Sequence, residues 1–150
     1  MDFIKKHADW IPAIIIAIIL GGSLPFKFTG SPITDHIFDV VGQFLGLDFF
    51  RTSGGYIIGV AELIAVILVL IPRTRGFGGL LTCGIMTGAI FFHLATPLGV
   101  TVKYDDAGVP MEDGTLFYTA ILAFVCGLIL LIRNKNSVLS LVGLGGVKGA

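Results

Sequence analysis

Four apolar runs constrain this chain more than anything else in it: Trp10 to Phe28, Gly55 to Ile71, Phe77 to Thr96 and Leu116 to Ile132. Each is long enough, or nearly so, to cross a hydrocarbon core that needs about 20 apolar residues. No water reaches backbone N–H and C=O groups there, so runs of this kind must form helices that satisfy those groups internally. Only 13% of the 150 residues are charged, about half the share of a soluble domain. The sequence therefore predicts an all-α membrane protein: a four-transmembrane-helix bundle forming one domain over residues 1–150, without internal repeats.

The first run needs one check. Lys5 and Lys6 followed by Ile11 to Leu24 have the basic and apolar regions of a secretory signal, but no small-x-small cleavage site follows and the apolar character continues through Phe26 and Phe28. It is read as the first span, with Trp10 an interfacial anchor and Lys27 snorkelling to the opposite interface. With four alternating spans, one side carries Lys5, Lys6, Arg73, Arg75, Arg133, Lys135 and Lys148, and the other only Lys27, Arg51 and Lys103. That asymmetry places both termini in the cytoplasm. The expected location is a bacterial or archaeal cell membrane, and lipid is an implied partner.

The connections differ in kind. Pro72 to Gly76 is so short that spans two and three must be antiparallel neighbours. Between spans one and two, Ser31 suits a helix cap and Pro32 a first helical position, and Ile33, Ile37, Val40, Val41, Phe44 and Leu45 recur at helical spacing up to Gly46. An amphipathic helix over residues 32–45 is predicted on the outer surface, lying in the interface or lidding the bundle. The loop Gly99 to Thr115 reads as a solvated, turn-rich segment. Its acidic residues lack the spacing of a calcium-binding loop, and no metal site is expected. The tail from Arg133 to Ala150 reads as a short interfacial segment or frayed end.

Two ionisable residues interrupt the apolar runs: Glu62 in the second and His93 in the third. Such groups are costly in hydrocarbon unless they face the bundle interior or a partner, which makes them the first place to look for function. Glu62 lies seven residues from Gly55 and His93 three from Thr96, or about 10 Å and about 5 Å from the outer ends of their helices. This predicts comparable depth in the outer half, where a carboxyl and an imidazole suit proton exchange. The competing reading is structural: Glu62, protonated or paired with Lys27 or His93, pins the helices together.

Small residues give facing. Gly55 and Gly59 form a close-packing pair on the face of Glu62, and Gly84 and Gly88 form another on span three, with His93 on the opposite stripe beside Thr82, Met86 and Ala89. Span three is accordingly expected to have two inward faces. Cys83 and Cys126 show no CxxC spacing and read as buried, inert thiols. No phosphate-cradling glycine loop, haem-attachment motif or nucleic-acid-binding basic patch is present in the sequence.

The string Phe26-Lys27-Phe28-Thr29-Gly30, Glu62 within Gly59-Val60-Ala61-Glu62-Leu63, and the stretch from Gly84 to His93 resemble the DoxX-like family of small four-helix membrane proteins. The resemblance covers about Ile14 to Leu98, with Phe28 in place of the usual leucine. It implies that Lys27, Glu62 and His93 are the family's polar positions. Relatives in that family include a subunit of a thiosulfate:quinone oxidoreductase, components of thiol and oxidative stress defence, and receptor assembly chaperones, so function differs within one fold.

Three functions follow as expectations. In the first the chain is a quinone-linked redox subunit: Glu62 and His93 exchange protons with a quinone head group, Lys27 stabilises an oxyanion, and Thr29, Thr82 and Met86 line the cofactor. In the second it is a non-enzymatic scaffold or chaperone that binds another membrane protein, or a second copy of itself, through glycine-rich faces. In the third it is a proton or small-solute transporter using Glu62.

Overall fold

The computed structural model describes residues 2–143. Its helices are α1 (Asp2–Ala8), α2 (Trp10–Phe28), α3 (Pro32–Leu45), α4 (Asp48–Leu70), α5 (Arg75–Ala95), α6 (Thr115–Arg133) and α7 (Lys135–Leu141). An antiparallel hairpin, β1 (Val102–Asp106) with β2 (Val109–Asp113), joins α5 to α6. Four of the helices, α2, α4, α5 and α6, are long and apolar enough to cross a membrane. The protein is thus an all-α bundle of four candidate spans, with α3 and the hairpin at one end and α1, α7 and the α4–α5 turn at the other. These ends are called the hairpin end and the terminal end.

Apolar residues cover both the inside and the outside of the bundle. Ala13, Ile16 and Leu20 of α2 meet Ala65 and Val69 of α4, Met86 of α5, and Ala123 and Leu130 of α6 in one buried cluster. Ile18, Ile57, Ile64, Leu122 and Ile129 point outward and are exposed. Helices that are hydrophobic all round belong in a lipid environment.

Local signals set the hairpin end. The Ser31 hydroxyl accepts from the Thr34 amide at 3.4 Å, Pro32 opens α3, and Gly46 ends it at φ +68°. The buried face of α3, Thr34, Phe38, Val41 and Gly42, packs on α4 and reaches β1, whose Val102 is fully buried. Phe44 adds ring contacts to Phe91 and Phe92 of α5. This helix therefore caps the bundle.

Three boundaries or faces depart from the sequence reading. The second span begins at Asp48, not Gly55, because Gly54 and Gly55 are packing positions inside a continuous helix: a β-carbon on Gly54 would stand 2.6 Å from the Phe38 ring. The second loop is a β-hairpin whose two-residue turn, Ala107 and Gly108, has φ +53° and +85°, as a type I′ turn requires. Gly84 and Gly88 do not face inward; a β-carbon at either would meet nothing within 4 Å. The close face of α5 is instead Gly78 against Val69 and Gly79 against Gly127. The start of the tail forms α7, and residues 144–150, including Lys148, lie outside the described residues.

Candidate functional site

The site grows from one face of α2. Ser23 and Lys27 are four residues apart, so their side chains stack on one stripe. Opposite them Gly59 of α4 has no side chain: a β-carbon there would lie 3.4 Å from Lys27 Cβ and 3.0 Å from the Phe28 ring. That gap lets the lysine stem lie against α4. Helical side chains lean toward the N-terminus of their own helix, which here carries the ammonium down into the bundle.

Lys27 Nζ ends 3.0 Å from Glu62 Oε2 and donates to Ser23 Oγ at 2.9 Å. The Ser23 hydroxyl lies within donating distance of both Glu62 Oε2, 3.0 Å, and the Leu20 carbonyl, 2.8 Å. Glu62 is only 4% exposed. Lys27 therefore does not snorkel to the interface as expected, because the buried carboxylate offers a countercharge that a one-turn descent can reach. Removing either member from such a pair leaves an uncompensated charge in a low-dielectric interior.

His93 is elsewhere. Glu62 is eight residues from the Leu70 end of α4 and His93 eighteen from the Arg75 start of α5, which puts them about 12 Å and about 27 Å up the antiparallel pair. The expectation of comparable depth fails because it measured from span boundaries, and α4 extends past its predicted start. His93 Nδ1 lies 2.6 Å from the Gly99 carbonyl, and its ring meets the edge of Phe117. A carbonyl only accepts, so Nδ1 carries the proton. His93 ties the end of α5 to the segment leading into β1.

The remaining predicted site residues do not converge on Glu62. Thr82 is fully buried and donates to its own helix at the Gly78 carbonyl, 2.8 Å away. Met86 belongs to the apolar core. Thr29 is exposed and donates to the Pro25 carbonyl at 2.6 Å. Their common helical stripe, or their nearness in sequence to Lys27, said nothing about which neighbour each would meet. Cys83 and Cys126 are buried free thiols, Cys83 Sγ lying 3.6 Å from the Phe124 carbonyl and Cys126 in the core.

A cavity of about 100 Å³ lies at the hairpin end, lined by Lys27, Gly30, Thr34, Asp35, Arg51 and Tyr56 among others, with Glu62 and Ser23 outside its wall. Arg51 is turned toward Asp39, its Nε donating to Oδ1 at 2.6 Å, and lies 3.8 Å from Asp48. Lys27 is thus clamped from below, and the same residue forms part of the cavity wall.

The sequence reading passed over Ser23, whose signal was its four-residue spacing from Lys27. It also passed over a polar cluster at the terminal end. Asp9 accepts from Arg133 Nε and from Asn134 Nδ2, the latter at 3.1 Å. Arg75, 2% exposed, donates from Nε to the Val69 carbonyl at 2.8 Å, and its guanidinium carbon lies 4.3 Å from the centre of the Trp10 ring. Trp10 is therefore a platform for Arg75 as well as a residue of the helix end. Compared with protein-family models, curated proteins and solved structures, the chain matches none.

Proposed function

We propose that this chain is the membrane subunit of a quinone-linked redox system in which Lys27 donates protons and Glu62 and Ser23 hold it in place. The observation that carries the reading is the Lys27 ammonium held inside an otherwise apolar bundle by the buried Glu62 carboxylate and the Ser23 hydroxyl. Reduction of a quinone takes two electrons and two protons, the electrons coming from a redox partner protein. Beside the cavity, Phe28 and Tyr56 stand 6.4 Å apart, an aromatic edge suited to a head group arriving from lipid. A developing quinone oxyanion takes a proton from Lys27, leaving Glu62 as an uncompensated buried carboxylate. That charge draws the next proton back to Lys27.

His93 has no proton-carrying part in this reading; it holds the approach to the hairpin. The charge asymmetry of the loops supports an orientation with both termini cytoplasmic and the hairpin end outside, in a bacterial or archaeal membrane. The resemblance to DoxX-like proteins belongs to the same proposal. The test is quinone binding and quinone-dependent electron transfer in nanodiscs containing the chain and host membrane extract. Lys27→Met is expected to lower the rate by about a hundredfold, in the range of lost general acid catalysis. If the wild-type chain neither binds quinone nor changes the rate, the reading is wrong.

A second reading, a scaffold for another membrane helix, is favoured by the outward stripe of Gly84 and Gly88, flanked by exposed Leu80 and Phe91. In that case Gly84→Leu abolishes stoichiometric copurification of a second membrane protein, and Lys27→Met leaves it intact.

A further inference from the structure

We infer that Ser23 is a positioning residue that decides where the proton of the Lys27–Glu62 pair resides: its hydroxyl keeps the pair as ammonium and carboxylate, against transfer of that proton from Lys27 to Glu62. The inference rests on the reading of Lys27 as a proton donor, since only a charged Lys27 has a proton to give.

Burial sets the two forms in competition. A charged pair taken out of water loses the solvation of both ions, and their attraction offsets that loss only with good geometry and further hydrogen bonds. The Glu62 and Lys27 side chains are 6% and 16% exposed. Leu20 and Ala65, three residues from Ser23 and from Glu62, belong to the apolar core, and the Phe28 ring lies over Gly59 on the other side. The transfer itself is short: the Nζ–H bond breaks, an Oε2–H bond forms across 3.0 Å, and both groups become neutral. No electron moves.

Ser23 weights this competition through two bonds. Its oxygen accepts from Lys27 Nζ at 2.9 Å, and its single hydrogen serves either Glu62 Oε2 at 3.0 Å or the Leu20 carbonyl at 2.8 Å. Lys27 Nζ, Ser23 Oγ and Glu62 Oε2 thus close a triangle in which the hydroxyl turns its lone pair to the positive charge and its hydrogen to the negative one. Hydrogen bonds to an ionised partner are about twice as strong as neutral ones. Both weaken when the proton crosses, and the Leu20 carbonyl, neutral in either form, then takes the hydroxyl hydrogen. Without Ser23 the two ions face each other with neither bond.

The chain has two glutamates, Glu62 in the bundle and Glu112 on β2, so selective labelling reads the site directly. The test is ¹³C NMR of full-length protein labelled at the glutamate δ-carbon, at neutral pH in nanodiscs without quinone, with Glu112→Asp assigning the signals. The wild-type Glu62 signal is expected at the carboxylate position. Ser23→Ala should move it upfield to that of a protonated carboxyl, as should Ser23→Cys, which keeps the side chain's size but is a weak donor and acceptor. Ser23→Thr retains the hydroxyl and should leave Glu62 a carboxylate, and Glu112 should not move in any of the three. A protonated Glu62 in the wild type, a signal indifferent to both Ser23→Ala and Ser23→Cys, or a shift that Ser23→Thr also shows, overturns the assignment. Because no quinone is present, a chain inactive toward quinone with the Ser23 dependence intact sinks only the redox reading, and a quinone-active chain whose Glu62 ignores Ser23 sinks only this one.

Discussion

Gly79 of α5 and Gly127 of α6 touch backbone to backbone: a β-carbon on Gly79 would stand 2.6 Å from the Gly127 carbonyl oxygen, and one on Gly127 2.9 Å from the Gly79 carbonyl. Neither neighbour is a flexible side chain that can step aside. Either Gly→Ala substitution must therefore push two spans apart, at a cost of about 1–3 kcal/mol, the usual range for overpacking. Gly84→Ala, on the open face, should instead gain about 0.5–1 kcal/mol from reduced backbone freedom. Unfolding in mild detergent separates the two, and equal effects at Gly79 and Gly84 would contradict the packing described.

The Lys27–Glu62 pair should behave as a unit. Lys27→Met leaves the Glu62 carboxylate buried without its cation and is expected to cost about 3–5 kcal/mol, the range for one half of a buried pair. Lys27→Met with Glu62→Leu removes both charges and should recover most of that loss. A double-mutant cycle that shows no coupling would mean the two groups do not meet in the folded protein.

Sequence patterns revealed what short-range chemistry decides. Ser31, Pro32 and Gly46 bounded α3 correctly because caps and left-handed stops act within a few residues. Hydropathy alone exposed Glu62 as an ionisable group in an apolar run, and the span count followed from bilayer thickness. The rest depends on the rotation and axial offset of packed helices. Gly84 and Gly88 have the small-xxx-small spacing, yet the close contacts fall at the adjacent Gly78 and Gly79, and only packing tells the open face from the closed one. The same offset separated His93 from Glu62, and the direction of Lys27 depended on the space beside Gly59.

His93 and Glu62 should consequently be independent. His93→Gln breaks the link to the Gly99 carbonyl and should speed amide exchange in β1, with a stability loss of about 0.5–1.5 kcal/mol, typical for one hydrogen bond. Combined with Glu62→Gln, the losses should add within about 0.5 kcal/mol, as they do for sites without shared partners. A coupling well above that would restore His93 to the proton site.

Asp9 should prove to be the lock of the terminal end. Its carboxylate joins the start of α2 to Arg133 and Asn134 at the end of α6. Beside it Arg75 is buried, with its Nη2 lacking a hydrogen-bond partner among the described residues. Exposed ion pairs contribute about 0–1 kcal/mol, but the Asp9 side chain is only 13% exposed and Arg133 36%, so Asp9→Asn should cost somewhat more, about 1–3 kcal/mol, as loss of a charged hydrogen-bond acceptor does. Trp10, the single tryptophan of the chain, lies under Arg75 and reports on this cluster. Its emission should shift in Asp9→Asn before global unfolding, whereas Lys27→Met at the other end should leave the native emission unchanged. If the tryptophan signal of Asp9→Asn follows only the global transition, the terminal-end cluster is not a separate cooperative contact and the lock is an ordinary surface pair.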